Sequence, residues 1–181
     1  MTYTDKRAFR EGRLAHLVVI VLSIALGAFT LTSCAGADEQ GSPAHRVQAW
    51  VAGTGFANSV GTLRADSTRI ETVINEHHGS SAISTDCSVL VTDASAANDE
   101  LPTPDPKLTG LLSRAYALEG SAGTKCYAAG AANKSLLEQS ANDRSAANKL
   151  LNDAVARIVA ITGKTVSTTT TTQPSSGGIF G

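Results

Sequence analysis

Large side chains are scarce in this chain. Its 181 residues include one Trp, three Tyr, four Phe and one Met. From residue 34 onward the aromatic set is Trp50, Phe56, Tyr116, Tyr127 and Phe180 alone. Ala, Ser, Thr, Gly and Asn fill the rest. Such residues let helices approach closely, but each buries little area, so a fold made of them is only modestly stable without a staple. An excess of positive charge is missing too. There are 15 Lys plus Arg against 16 Asp plus Glu. Four of the cations, Lys6, Arg7, Arg10 and Arg13, sit in the amino-terminal head. The chain beyond residue 33 carries 11 against 14, about -3 in net charge. That balance offers no clustered basic face for nucleic acid. Also absent are a Gly-x-Ser-x-Gly turn, a glycine-rich phosphate loop and any convincing alternation of strand-like residues. The one apolar run, Leu17 to Leu31, has 15 residues, short of the roughly twenty a helix needs to cross a bilayer.

That run has a context. The basic head precedes it, and the small residues Thr32 and Ser33 lead to Cys34, the three-part plan of an export signal. The basic head stays on the cytoplasmic side, so the remainder is exported. The closing tetrapeptide, Leu31-Thr32-Ser33-Cys34, resembles the lipobox of bacterial lipoproteins: aliphatic, small, small, Cys. The resemblance covers residues 1–34. It implies that the Cys34 thiol takes a diacylglyceryl group through a thioether and that a peptidase cuts between Ser33 and Cys34. Acylation of the freed amine is a further step in that family. Two or three acyl chains hold a protein stably where one does so only marginally, at about 0.8 kcal/mol per buried methylene. The expected address is the outer face of the cytoplasmic membrane, with membrane lipid as the first partner. The other reading is a plain signal peptide, or an uncleaved anchor, with Cys34 in place by chance.

Cys87 and Cys126 are the only cysteines left once Cys34 is modified. Outside the membrane disulfides form and persist. Closing a loop of this size stabilises a fold by roughly 4 kcal/mol in the chain-entropy account. Two free thiols or a two-Cys metal site are the alternatives, and two cysteines with no companion His or Cys cluster make a poor zinc site.

The pattern along the chain predicts an all-α fold, an antiparallel four-helix bundle over residues 45–164. Residues 34–44 form a tether. Its length would hold the domain a few nanometres at most from the bilayer. Residues 165–181, rich in Thr, Ser and Gly, read as a disordered tail. The first helical region runs from about Ala44 to Asn75. Val47, Trp50, Val51 and Thr54 share one face. Phe56, Val60, Leu63, Ser67, Ile70 and Ile74 share another, out of phase with the first. A kink or break is expected near Gly53–Gly55, since glycine costs about 1 kcal/mol in a helix interior, and Gly79 is the expected left-handed stop. A second helix, capped by Thr85 or Asp86, carries Cys87, Leu90, Val91, Ala94 and Ala97. The run of prolines at Pro102, Pro104 and Pro106 favours an extended linker. A third helix starts at Asp105 as cap with Pro106 in its first turn. Its face is Leu108, Leu111, Leu112, Ala115, Leu118, Ala122 and Cys126, and it ends near Gly130. The fourth runs from near Asn133 to Gly163 with Leu136, Leu137, Ser140, Arg144, Ala147, Leu151, Ala154, Ile158 and Ile161 in its stripe. Joining Cys87 to Cys126 requires the proline linker to run back along the third helix.

Few residues invite a chemical role. Trp50, on an amphipathic helix, belongs to the core, with ligand stacking as the minority role. Arg144 falls on an apolar stripe. It can carry its charge out to water, pair with Asp86, Asp93 or Glu119, or face a pocket, so Trp50 and Arg144 are the weak candidates for ligand binding. Glu76, His77 and His78 form the one cluster of metal-ligating types. Adjacent histidines point to different faces, and the inward Glu-x-x-His pattern of helical metal sites is absent. No metal and no cofactor is expected. Asn133-Lys134-Ser135 matches a glycosylation acceptor but reads as a helix cap in an exported bacterial protein. The functional expectation is a non-enzymatic, lipid-anchored envelope protein that binds an envelope protein or a small ligand. The rivals are an envelope enzyme without a recognisable motif and a structural spacer that carries the threonine-rich tail outward.

Overall fold

The computed structural model describes residues 41–168. The export signal, Cys34, most of the tether and residues 169–181 lie outside the described residues. Within them the chain is all-helical. It forms five helices and no strand: α1 (Pro43–Thr54), α2 (Phe56–Asn75), α3 (Ser80–Asp99), α4 (Pro106–Ala129) and α5 (Lys134–Thr162).

The first helical region is two helices rather than one kinked helix. Ser42 caps α1 by accepting from the His45 N–H, with Pro43 at the first helical position. Gly55 then takes φ +67°, ψ +25° and serves both as the end of α1 and as the residue before α2. A left-handed residue cannot continue an α-helix, and only glycine adopts that conformation at little cost. The two apolar stripes are out of phase because they belong to different rods.

Two boundaries also differ from the sequence pattern. At the end of α2 it is His77, not Gly79, that turns left-handed (φ +56°). The His78 N–H closes that turn on the Val73 carbonyl at 2.9 Å. Gly79 is extended and starts α3 at Ser80, well before Thr85 and Asp86. The early start places Ile83 in the core, extending the stripe of Cys87, Leu90, Ala94 and Ala97 by one turn. The remaining caps fall where the pattern puts them. Asp105 accepts from the Leu108 N–H at 2.7 Å and Asn133 from the Leu136 N–H at 3.2 Å. Gly163 ends α5 at φ +66°.

Side-chain contacts set the register between helices. Ser121 and Lys125 of α4 meet Asp143 of α5 at 2.8 and 2.6 Å, and Asp105 at the start of α4 meets Arg157 near the end of α5 at 2.7 Å. These pairs require antiparallel neighbours. Arg64–Asn152 and Glu71–Arg144 run α2 antiparallel to α5 in the same way. Between α3 and α4, Cys87 and Cys126 stand at disulfide distance, with Cα atoms 5.7 Å apart. The linker makes that register possible by folding against α4. Buried Thr103 bonds through its N–H and its hydroxyl to Thr109 Oγ1, both at 2.9 Å. α1 lies on the carboxyl-terminal part of α5 and is fixed by Gln48 Nε2 donating to the Thr162 carbonyl at 3.4 Å. Leu63, Ile70, Ile83, Leu90, Leu108, Leu112, Leu151 and Ile158 fill the core. Residues 165–168, assigned from sequence to the tail, fold back on the helices. Val166 packs on the core and the Arg64 guanidinium donates to Thr168 Oγ1.

Candidate functional site

The apolar core is interrupted at one place by charge. Asp66 and Ser67 of α2, Glu119 of α4, and Ser140 and Arg144 of α5 are all buried. Asp66 is 2% exposed, Glu119 1% and Arg144 3%. Arg69 donates to Asp66 Oδ1 and, at 3.1 Å, to Asp86 of α3. Arg144 donates to Ser140 Oγ at 2.9 Å, which donates in turn to the Ala122 carbonyl at 2.8 Å. The Arg144 guanidinium reaches the exposed Glu71 carboxylate at 3.8 Å. Four polar atoms in this group have no hydrogen-bond partner: Asp66 Oδ2, Ser67 Oγ, Glu119 Oε2 and Arg144 Nε. Leaving a buried polar atom unpaired costs about 1–3 kcal/mol, so a carboxyl here gains by holding its proton.

Titration is shifted accordingly. Burial pushes Asp66 up to about 7, helped by the facing Asp93 carboxyl and resisted by Arg69. Burial likewise pushes Glu119 up to about 7; Arg144 opposes the shift and Asp66 adds to it. Burial draws the Arg144 guanidinium below its ordinary value, against the pull of Glu71 and Glu119. Of the partners the sequence offered for Arg144, Glu119 interacts with it. Asp86 and Asp93 are engaged around Arg69 and Asp66 instead. Asp66 escaped the sequence pattern, and Glu119 entered it only as a possible partner of Arg144, although each sits at helical spacing between apolar residues: Leu63, Asp66, Ile70 and Ala115, Glu119, Ala122. A carboxylate in phase with a buried stripe was the available signal.

Three cavities lie away from this cluster. The first, about 410 Å³, lies between α1, the end of α5 and residues 164–166. Ala49, Val51, Ala52, Ile158 and Val166 form its apolar walls, and His45, Gln48 and Lys164 its polar edge. The second, about 640 Å³, sits where the α2–α3 and α4–α5 turns meet, against Ile83, Leu137, His77, His78 and Lys134. The third, about 340 Å³, is a groove between α3 and α4 lined by small residues together with Val91, Asn98 and Tyr116. Neither Trp50 nor Arg144 lines any of the three. Trp50 is partly buried, packs on Phe56 with ring centroids 5.5 Å apart, and donates to the Glu100 carbonyl at 3.1 Å. It serves to fix α1. Arg144 lies fourteen residues before Ile158 on α5, about 21 Å along the axis, so the two candidates do not share a pocket.

His78 Nε2 and Glu76 Oε2 pair at 2.9 Å on the surface, and no group of three metal-ligating side chains occurs among the described residues. No described helix is long and apolar enough to cross a membrane. Tyr127, 58% exposed, is the one large apolar side chain mostly in solvent among the described residues. No protein-family model matches the chain, no curated protein matches it, and no solved structure matches its fold.

Proposed function

We propose that the chain is an exported bacterial lipoprotein, anchored through diacylglyceryl-Cys34, whose helical domain is a non-enzymatic binding module. In this reading α2 to α5 form an antiparallel four-helix bundle, α1 folds across one end, and a Cys87–Cys126 disulfide staples α3 to α4.

The cavity between α1 and α5 carries the reading. Its volume falls in the range of small-molecule sites, and apolar walls with a few polar groups at one edge are the usual make-up of such sites. The enzyme reading draws less support. Asp66 and Glu119, the two carboxyls with the largest upward shifts, line none of these three cavities.

Two measurements test the proposal. Cys34→Ala should release the protein from membranes or leave its precursor uncut; unchanged mass and full membrane retention would refute the anchor. Amide hydrogen exchange of the processed protein, with and without an extract of envelope lipids and metabolites, should show added protection confined to residues 45–52 and 158–166. Exchange unchanged in both segments would refute the cavity as the site.

A further inference from the structure

The polar edge of the α1–α5 cavity is one-signed. Lys164 contributes an ammonium whose partner is the neutral Gln48 Oε1, at 3.1 Å. No carboxylate lines the cavity, and none of the ion pairs among the described residues includes Lys164. His45, in the first turn of α1, stands at the same edge. The opposing walls are methyl and methylene surface from Ala49, Val51, Ala52, Ile158 and Val166. The Lys164 ammonium gives one of its three N–H donors to the neutral Gln48 amide and meets no anion at the mouth of the cavity.

The segment along one side of the cavity is tied to the helices at several points. Val166 packs against the core, Thr168 is held by Arg64, and Arg64 is itself oriented by Asn152 at 2.7 Å. Thr162 ties the start of this segment back to α1 through Gln48. The carboxyl-terminal end of α5 is partially negative and opposes an anion placed on its axis. A head group is therefore directed sideways, to Lys164 and His45.

We propose that this cavity binds an anionic amphiphile: one apolar chain among Ala49, Ala52, Ile158 and Val166, with a carboxylate or phosphate head hydrogen-bonded to the Lys164 ammonium. This deepens the binding reading above and rests on it. A free fatty acid and a single-chain phospholipid share that chemistry.

The test uses the full processed protein in phosphatidylcholine vesicles and photoreactive probes that share one saturated chain. One probe ends in a carboxylate, one in a phosphate, one in a hydroxyl and one in a trimethylammonium. Saturable labelling within residues 45–52 and 158–166 by either anionic probe supports the proposal, and the stronger of the two identifies the head group. Lys164→Glu should weaken the anionic probes by about tenfold or more, the scale of one charge-assisted hydrogen bond, and leave the hydroxyl probe unchanged. Ala52→Phe, at an exposed position, should abolish labelling in the cavity by every probe while circular dichroism stays helical. Equal labelling by the trimethylammonium probe, or no response to Lys164→Glu, would overturn the anionic class and leave the binding cavity standing. No labelling of the cavity by any probe would overturn both.

Discussion

A β-carbon placed on Gly123 would stand 2.8 Å from the carbonyl oxygen of Cys87 and 2.6 Å from Val91 Cγ2. Gly123 is one turn before Cys126, so the closest approach of α3 to α4 and the cysteine pair share one contact zone. Gly123→Ala must push the backbones apart and should cost about 1–3 kcal/mol, the usual scale of overpacking. Gly110, in the same helix, has open space where its β-carbon would go. Gly110→Ala should raise stability by about 0.5–1 kcal/mol. Urea unfolding of the two variants side by side checks both signs.

Stability should fall as pH rises through neutrality. Asp66 and Glu119 have ordinary values of 3.8 and 4.5 and are both lifted to about 7 by the fold. Between these limits the native state holds protons that the unfolded chain has lost. Their contribution is complete below about pH 4 and gone above about pH 7. Asp105 and Asp143 act in the opposite sense. The hydrogen bond from Arg157 leads in lowering Asp105; burial raises Asp143, but Lys125 and Ser121 outweigh it. Their contribution is lost only as the pH drops below the ordinary carboxyl range. Thermal unfolding at pH 5 and pH 8 should show the lower midpoint at pH 8. In Asp66→Asn with Glu119→Gln the difference should shrink. A midpoint independent of pH in the wild-type protein would contradict the buried-acid description.

Reduction should expose the staple. The Cys87 and Cys126 side chains are fully buried, so a reductant acts on the unfolded or opened chain. Thermal unfolding with and without a phosphine reductant should differ by several degrees, in line with roughly 4 kcal/mol in the chain-entropy account of a loop this long. The double variant Cys87→Ala, Cys126→Ala should show the reduced midpoint in both conditions. Two thiols titrating in the native, unreduced protein would show that the bond does not form.

Asp105 does two jobs at the start of α4: it caps the helix through Leu108 and pairs with Arg157 through both carboxylate oxygens, at 3.2 and 2.7 Å. Asp105→Asn keeps the cap and loses the charge; Asp105→Ala loses both. The alanine variant should be less stable than the asparagine one by about 1 kcal/mol, the typical worth of a cap. Equal stabilities in urea would mean that the cap contributes nothing here.

Apolar spacing alone made the helical class legible. The stripes ending at Cys126 and Ile158 are buried much as their periodicity implies, and Asp105, Asn133 and Gly163 cap as their chemistry dictates. Two kinds of signal were missed. One is backbone conformation: a lone Gly55 at φ +67° separates rods where glycine content alone suggested a bend, and a histidine holds the left-handed position expected of Gly79. The other is polarity inside a stripe. Asp66 and Glu119 are charged in isolation, so a search for apolar repeats passes over Asp66 and admits Glu119 only as one of three possible partners for Arg144. Only the packing of α2 against α3, and of α4 against α3 and α5, makes the two carboxyls interior groups. The α1–α5 cavity was invisible for a related reason. Its walls come from residues more than a hundred positions apart, brought together by the return of the segment after Gly163.

The single-residue elbow at Gly55 sets how the domain answers to force. Tension arriving from the amino-terminal side enters at Pro43 and is borne first by the Trp50–Glu100 and Gln48–Thr162 clasps. With buried Val47 and the Trp50–Phe56 contact they hold a helix of only 12 residues, so α1 is expected to yield before the longer rods behind it. α1 would then peel away as a unit, opening the chamber it walls while the cysteine-braced remainder stays intact.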